Sequence, residues 1–209
     1  MVSSTVPSAA GRRGTPPERS GRALLVVGGL PGSGKTTLLR RLLAHDGPAG
    51  TALDSEDVAG RLRRAAPGVP YRLLRPWVHA WHRWRVLRAL GGDAPLVVLT
   101  DPWTSRSWRG LVVRAARWSG RSLRLVLLDV PPQLAREGQR ARGRAVPEGR
   151  MRRHATRWRR YLARVGATPS AGDAVLVVDR RAAGELTWAA ALGEERPPAG
   201  SGAPRCGVD

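Results

Sequence analysis

Residues 23–36 read ALLVVGGLPGSGKT. The run Ala23–Gly29 is apolar at nearly every position, the pattern of a strand buried on both faces. It leads straight into Gly29-Leu30-Pro31-Gly32-Ser33-Gly34-Lys35-Thr36, which fits G-x-x-x-x-G-K-[ST] without deviation. An amphipathic helical pattern, TTLLRRLLA, follows at once. Strand, glycine loop and helix in this order form a phosphate cradle. The glycines let backbone N–H groups close around phosphate oxygens without Cβ clashes, and the helix N-terminus adds its dipole. Gly29 through Thr37 are therefore expected to hold a nucleotide's phosphates. Lys35 is expected to reach the β- and γ-phosphates, and the Thr36 hydroxyl to bind Mg²⁺. Lys35 is the only lysine in the chain, and a compact ammonium suits this place better than a guanidinium fork.

Outward from this loop, short apolar runs alternate with longer helical patterns. Further strands are expected at 50–53, 95–101, 123–130 and 174–179. Helices are expected at 35–45, 56–66, 72–90, 105–118, 132–142, 149–164 and 181–191. Alternation of this kind predicts an α/β fold, a parallel sheet covered on both faces, with ligands at the strand C-terminal ends. One domain spanning 22–192 accounts for it. Residues 1–21 and 193–209, rich in Ser, Pro, Gly and Arg, read as disordered tails.

Composition narrows the class. The chain has 209 residues, 42% hydrophobic and 25% charged, the balance of a globular protein with a sizeable core. No apolar run nears the ~18 residues of a membrane span, so no membrane partner is expected. The N-terminus has no apolar segment of the secretory kind, and the single cysteine, Cys206, permits no intramolecular disulfide and no cysteine-based metal site. A reducing, cytoplasmic setting fits.

The formal charge is +20. Of 36 basic Lys and Arg residues all but Lys35 are arginine, while Phe, Ile and Asn are absent, the signature of a GC-rich genome such as an actinobacterial one. Part of the excess then reflects codon usage. The distribution is uneven, however. Residues 61–90 hold eight arginines and no acid, and 136–164 hold eleven arginines against two glutamates. Clusters of this kind handle phosphate or nucleotide; nucleic acid is a second candidate partner, ranked below them.

Acids at the strand ends bear on the chemistry. Asp101 closes PLVVLTD (95–101), where a carboxylate can order Mg²⁺ or its water; a turn cap before Pro102 is the simpler reading. LDSED (53–57) places Asp54, Glu56 and Asp57 at a helix start beside the loop. Capping explains at least one of them, and a general base for an acceptor hydroxyl is the other role expected there. On 72–90, Trp77, Trp81 and Trp84 recur at helical spacing. Core packing is the simpler expectation; a stacking wall for a base or aromatic acceptor is the sharper one. His79 and His82 make a weak metal case without a third ligand.

Over 23–180 these residues resemble the P-loop kinase-like group of AAA-type ATP-binding proteins, which includes polynucleotide 5′-hydroxyl kinases, gluconate-type kinases, chloramphenicol phosphotransferase and zeta toxins. GLPGSGKTT is that group's typical loop. LDSEDV is similar to its acceptor motif, which implies a catalytic role for Glu56, with Asp54 as rival. VVLTDPWTSRSWR resembles its third strand, with Asp101 and Arg109. REGQRARGR resembles its lid, which implies that Arg140 and Arg142, with Arg144, touch the transferring phosphate. Ala59, Gly60 and Arg61 depart from the arginine the group often carries after its acceptor acids. The resemblance implies a five-stranded sheet in the order 2-3-1-4-5 with helical lids, and ATP- and Mg²⁺-dependent phosphoryl transfer to an unidentified hydroxyl acceptor. A slow ATPase switch, or a nucleic-acid-binding ATPase without a small acceptor, is the alternative.

Overall fold

In a computed structural model the chain folds around a single sheet; the structure describes residues 21–141, 146–167, 174–195 and 201–202. The strands are β1 (Ala23–Gly29), β2 (Gly50–Asp54), β3 (Leu96–Asp101), β4 (Ser122–Leu128), β5 (Ala174–Val178) and β6 (Ser201–Gly202). The first five are parallel and ordered 2-3-1-4-5, as expected. The two-residue β6 adds antiparallel to the outer side of β5. It has no apolar alternation, so nothing in its sequence announces it.

β1 is central, and six of its seven residues are buried. Its side chains feed two cores by strict alternation. Leu24 and Val26 join Val86 and Leu90, Trp108 and Val112, and Ala155 and Trp158 on one face. Leu25 and Val27 join Leu38, Leu39 and Leu42 with Ala182, Ala183, Ala190 and Ala191 on the other. The first face is thus covered by α3 (Tyr71–Gly91), α4 (Arg106–Trp118) and α6 (Glu148–Ala167). The second is covered by α1 (Lys35–Leu43), α7 (Arg180–Glu185) and α8 (Trp188–Leu192). Two further helices, α2 (Ser55–Ala65) and α5 (Pro132–Arg140), follow β2 and β4.

The expected helix 181–191 is two helices. Asp179 caps α7 by accepting from the Ala182 amide, and Thr187 caps α8 by accepting from the Ala190 amide, so the chain restarts at Leu186–Thr187. A second departure concerns α3. Its inward stripe is Leu74, Val78, His82, Val86 and Leu90, spaced four apart, which leaves Trp77, Trp81 and Trp84 exposed by 70%, 40% and 56%. The expectation that the tryptophans pack the core is corrected: one helix face serves the core, and the aliphatic stripe has taken it.

A buried arginine fixes how the first face closes. Arg121 is 4% exposed, and its guanidinium donates to the carbonyls of Leu90 at 2.9 Å, Gly92 at 2.7 Å and Ala94 at 2.7 Å. It thereby satisfies the end of α3, where carbonyls lack helical partners and the dipole favours a cation.

Candidate active site

The loop after β1 turns because its glycines adopt backbone that other residues avoid. Gly32 has φ 86° and Gly34 φ 105°, both left-handed. At Gly32 a Cβ would run into the Ala135 carbonyl oxygen of α5, and a Cβ on Gly138 would come within 2.5 Å of the Gly32 carbonyl oxygen. Two glycines therefore let α5 lie backbone to backbone on the loop.

Lys35 curls back over the loop, its Nζ donating to the carbonyls of Gly29 and Leu30, both at 2.9 Å. Next to it the Thr36 hydroxyl donates to Asp54 Oδ2 at 2.8 Å. Asp54 Oδ1 accepts from the Glu56 amide at 2.9 Å, so the same carboxylate caps α2 and holds Thr36. Asp54 is 4% exposed. Parity explains the meeting: Leu53 points to the α3 side of the sheet, so Asp54 points to the α1 side, where Thr36 stands.

Asp101 stands on the opposite side. Leu99 faces the α3, α4 and α6 layer, and two residues on Asp101 does too. Its Oδ1 accepts from the Trp103 amide at 2.6 Å, an Asx turn across Pro102. Burial pushes its carboxyl above the usual range; the Trp103 amide, the Lys35 charge, the Trp108 side chain and Arg83 oppose that rise. The geometry thus joins Thr36 to Asp54, while Asp101 bonds the Trp103 amide. Trp103, one residue past the turn, is 1% exposed with a left-handed φ of 56°, a strained conformation for a bulky residue. It is held there by its indole N–H donating to the Tyr161 hydroxyl at 2.9 Å and by its carbonyl accepting from Arg109 at 2.6 Å.

Two cavities flank the loop. The smaller, about 130 Å³, is lined by Lys35, Thr36, Asp54, Glu56, Thr100 and Gln139 among others. The larger, about 340 Å³, lies on the other side of Gly32 and Gly34, between Leu38, Leu128, Gly138, Arg180 and Ala183. The first carries the carboxylates of Asp54 and Glu56; the second is lined by apolar side chains together with Arg41 and Arg180. The side chain of Arg140 is exposed at the last turn of α5, next to Gln139 of the first cavity and Ala141 of the second. Arg142 and Arg144 lie outside the described residues.

His82 is a residue that sequence reasoning underrated. It is 4% exposed on the inward stripe of α3, and neither ring nitrogen has a hydrogen-bond partner. Burial lowers its pKa to about 4, with the Asp54 charge opposing and Arg85, His79 and Arg83 adding to the fall. The ring is therefore neutral at pH 7, close enough to Asp54 to feel its charge. Its spacing from Val78 and Val86 was the available signal. Among the described residues no cluster of three or more His, Cys, Asp or Glu side chains is arranged to hold a metal by itself. No described helix is long and apolar enough to cross a membrane.

Comparison with known proteins agrees with this geometry. The tunicamycin resistance protein of Deinococcus radiodurans superposes with a TM-score of 0.51 at 17% identity, over 85% of this chain and 99% of that one. The PezAT chromosomal toxin-antitoxin system of Streptococcus pneumoniae gives a TM-score of 0.54 at 13% identity, over 81% and 71% of the two chains. At these identities the likeness shows a shared fold, a P-loop α/β sandwich. Residues 24–168 match the family model described as an AAA domain, well over half of the chain and inclusive of loop, acids and α5. The chain belongs to the P-loop kinase-like AAA domain family.

Proposed function

We propose that this chain transfers the γ-phosphoryl group of ATP to a hydroxyl of an acceptor. One observation carries the reading: the hydrogen bond from Thr36 to the buried Asp54, which ties the phosphate loop to a carboxylate on the wall of the cavity that Glu56 also lines.

The roles follow from position. The loop amides of Gly29 to Thr37 bind the phosphates. Lys35 exchanges its two carbonyls for the β- and γ-phosphate oxygens, a cheap exchange because it is already poised over the loop. Thr36 and Asp54, hard oxygen donors side by side, suit Mg²⁺, and would hold it there to offset charge on the phosphates. Glu56, which lines the same cavity from the first turn of α2, accepts the proton of the acceptor hydroxyl. The base of ATP fits the larger cavity, between Leu38 and Ala183. Arg140, at the last turn of α5, would meet the transferring group, where a guanidinium is worth most in the transition state.

The test is ADP release measured with panels of hydroxyl compounds. A specific compound should raise turnover, and Glu56→Gln should then lower kcat by roughly 10²–10⁴ while ATP affinity is kept. Turnover indifferent to every hydroxyl compound and raised by nucleic acid alone would replace the kinase with the slow-ATPase alternative.

A further inference from the structure

Away from the phosphate loop, α4 and α6 enclose a groove of about 880 Å³. Six arginines line it: Arg106, Arg109 and Arg114 from α4, and Arg157, Arg160 and Arg164 from α6. The remaining lining is Thr104, Ser105, Ser107, Gly110 and Tyr161, with no acid and no aliphatic side chain. α4 has no acidic residue at all, and the one acid of α6, Glu148, lies at its far end with Arg136 at 3.9 Å. Nothing in the groove neutralises its charge. The consequence is visible at Arg109, whose pKa is lowered first by burial and then by Arg106 and Arg164, with Tyr161 and Asp101 opposing.

We infer that this groove binds a single-stranded polynucleotide through its phosphodiester backbone. Size decides against one small dianion. Arg109 is held by the Trp103 carbonyl and over the Tyr161 ring, which leaves five exposed arginines, and at up to two guanidinium forks per phosphate these serve about three phosphates. From Arg106 to Arg114 the helix rises ~12 Å. That length spans about three phosphates of one extended strand. The hydroxyls of Thr104, Ser105 and Ser107 are the supplementary donors that phosphate backbones take. Aromatic surface stands where bases would lie. The Tyr161 ring in the wall already carries the Arg109 guanidinium at 4.2 Å, but Trp118, 87% exposed, is one turn beyond Arg114 on the same face of α4. Exposed indole beside a basic groove is the arrangement on which unpaired bases stack. A recessed channel without aliphatic lining does not suit a lipid surface, which needs an apolar face to insert. The inference stands apart from the phosphotransferase reading, since none of these residues lines the loop cavities.

The experiment is fluorescence anisotropy of a labelled 12-nucleotide single strand of mixed sequence with the full chain, across 50 to 200 mM salt. Binding should weaken with rising salt, with a log–log slope near −2 for about three phosphates at ~0.7 each. The triple variant Arg114→Ala, Arg157→Ala, Arg160→Ala should bind at least about tenfold more weakly, with a slope smaller by about one to two. All three side chains are exposed, so its melting temperature should match the wild type. Trp118→Ala should weaken binding with the slope unchanged. Unlabelled strand should displace the probe better than phosphatidylserine vesicles or poly-glutamate at equal charge. No binding at 50 mM salt, a triple variant with wild-type affinity, or better displacement by vesicles or poly-glutamate would overturn the assignment. The readout is independent of ATP turnover, so a failed phosphotransferase assay leaves it intact, and the reverse.

Discussion

Replacing Asp54 separates its structural work from its chemical work. In Asp54→Ala both carboxylate bonds vanish. Loss of the α2 cap costs about 1 kcal/mol, and loss of a buried charge-assisted bond to Thr36 costs about 1.5–3 kcal/mol. The sum is about 2.5–4 kcal/mol, a fall of roughly 5–15 °C in Tm for a chain of this size. Asp54→Asn is different. Asparagine caps helices about as well as aspartate, and its amide can still meet the Thr36 hydroxyl, so the change in stability should stay within ~1 kcal/mol. The negative charge beside the phosphate loop is nevertheless gone. ADP release in the presence of Mg²⁺ should fall about 10–100-fold, the range seen when groups that orient metal ligands are altered. Circular-dichroism melts and a coupled ADP assay on the two variants read both quantities. Wild-type turnover in Asp54→Asn would refute the site. A melt as low as that of Asp54→Ala would show that the charge itself holds the fold.

Two more outcomes follow from buried groups. Arg121→Leu leaves the carbonyls of Leu90 and Ala94 without this donor, while Gly92 keeps Arg22, and should cost about 2–4 kcal/mol by thermal melt; a loss under ~0.5 kcal/mol would show that these carbonyls find other partners. His82 stays neutral in the folded chain down to about pH 4, whereas the unfolded chain takes up the proton near 6.5. Stability is therefore lost as pH falls from 6.5 to about 4, by about 3 kcal/mol in all. Asp101, raised by burial, acts with the opposite sign, its contribution being lost as pH rises through its folded value. His82→Leu shares that contribution, so the difference between its stability and the wild type's should shrink steadily with pH above 4 and vanish as a slope above 6.5. A difference flat in pH would rule out the buried neutral ring.

Much of the fold was legible because its signals are local. β1 is a continuous apolar run ending in an unbroken phosphate-loop pattern, and the alternation that followed fixed a parallel sheet. Asp54 as a cap was legible from its place before Ser55. Its bond to Thr36 was not, because it depends on which face of the sheet α1 covers, a tertiary fact. The same missing fact hid the orientation of Asp101, although its parity with Leu99 was on view. On α3 the tryptophans drew attention as the largest apolar groups, while the inward stripe was obscured by His82 in its middle. The arginine groove joins α4 to α6 across some fifty residues, and no window along the chain could assemble it.

The central claim is that Gly29 to Thr37 holds the phosphates of ATP and that Lys35 reaches them. Calorimetric titration of ATP·Mg²⁺ into wild type and Lys35→Ala tests it most directly, with matched circular-dichroism melts as the check on folding. Lys35 donates to the carbonyls of Gly29 and Leu30 in its own loop, and the matched melts read what losing those bonds costs. The account predicts saturable binding to the wild type and loss of the ammonium's charge contact with the phosphates in the variant, about tenfold or more in affinity. Equal affinity in the two proteins, or no binding to the wild type, would contradict it.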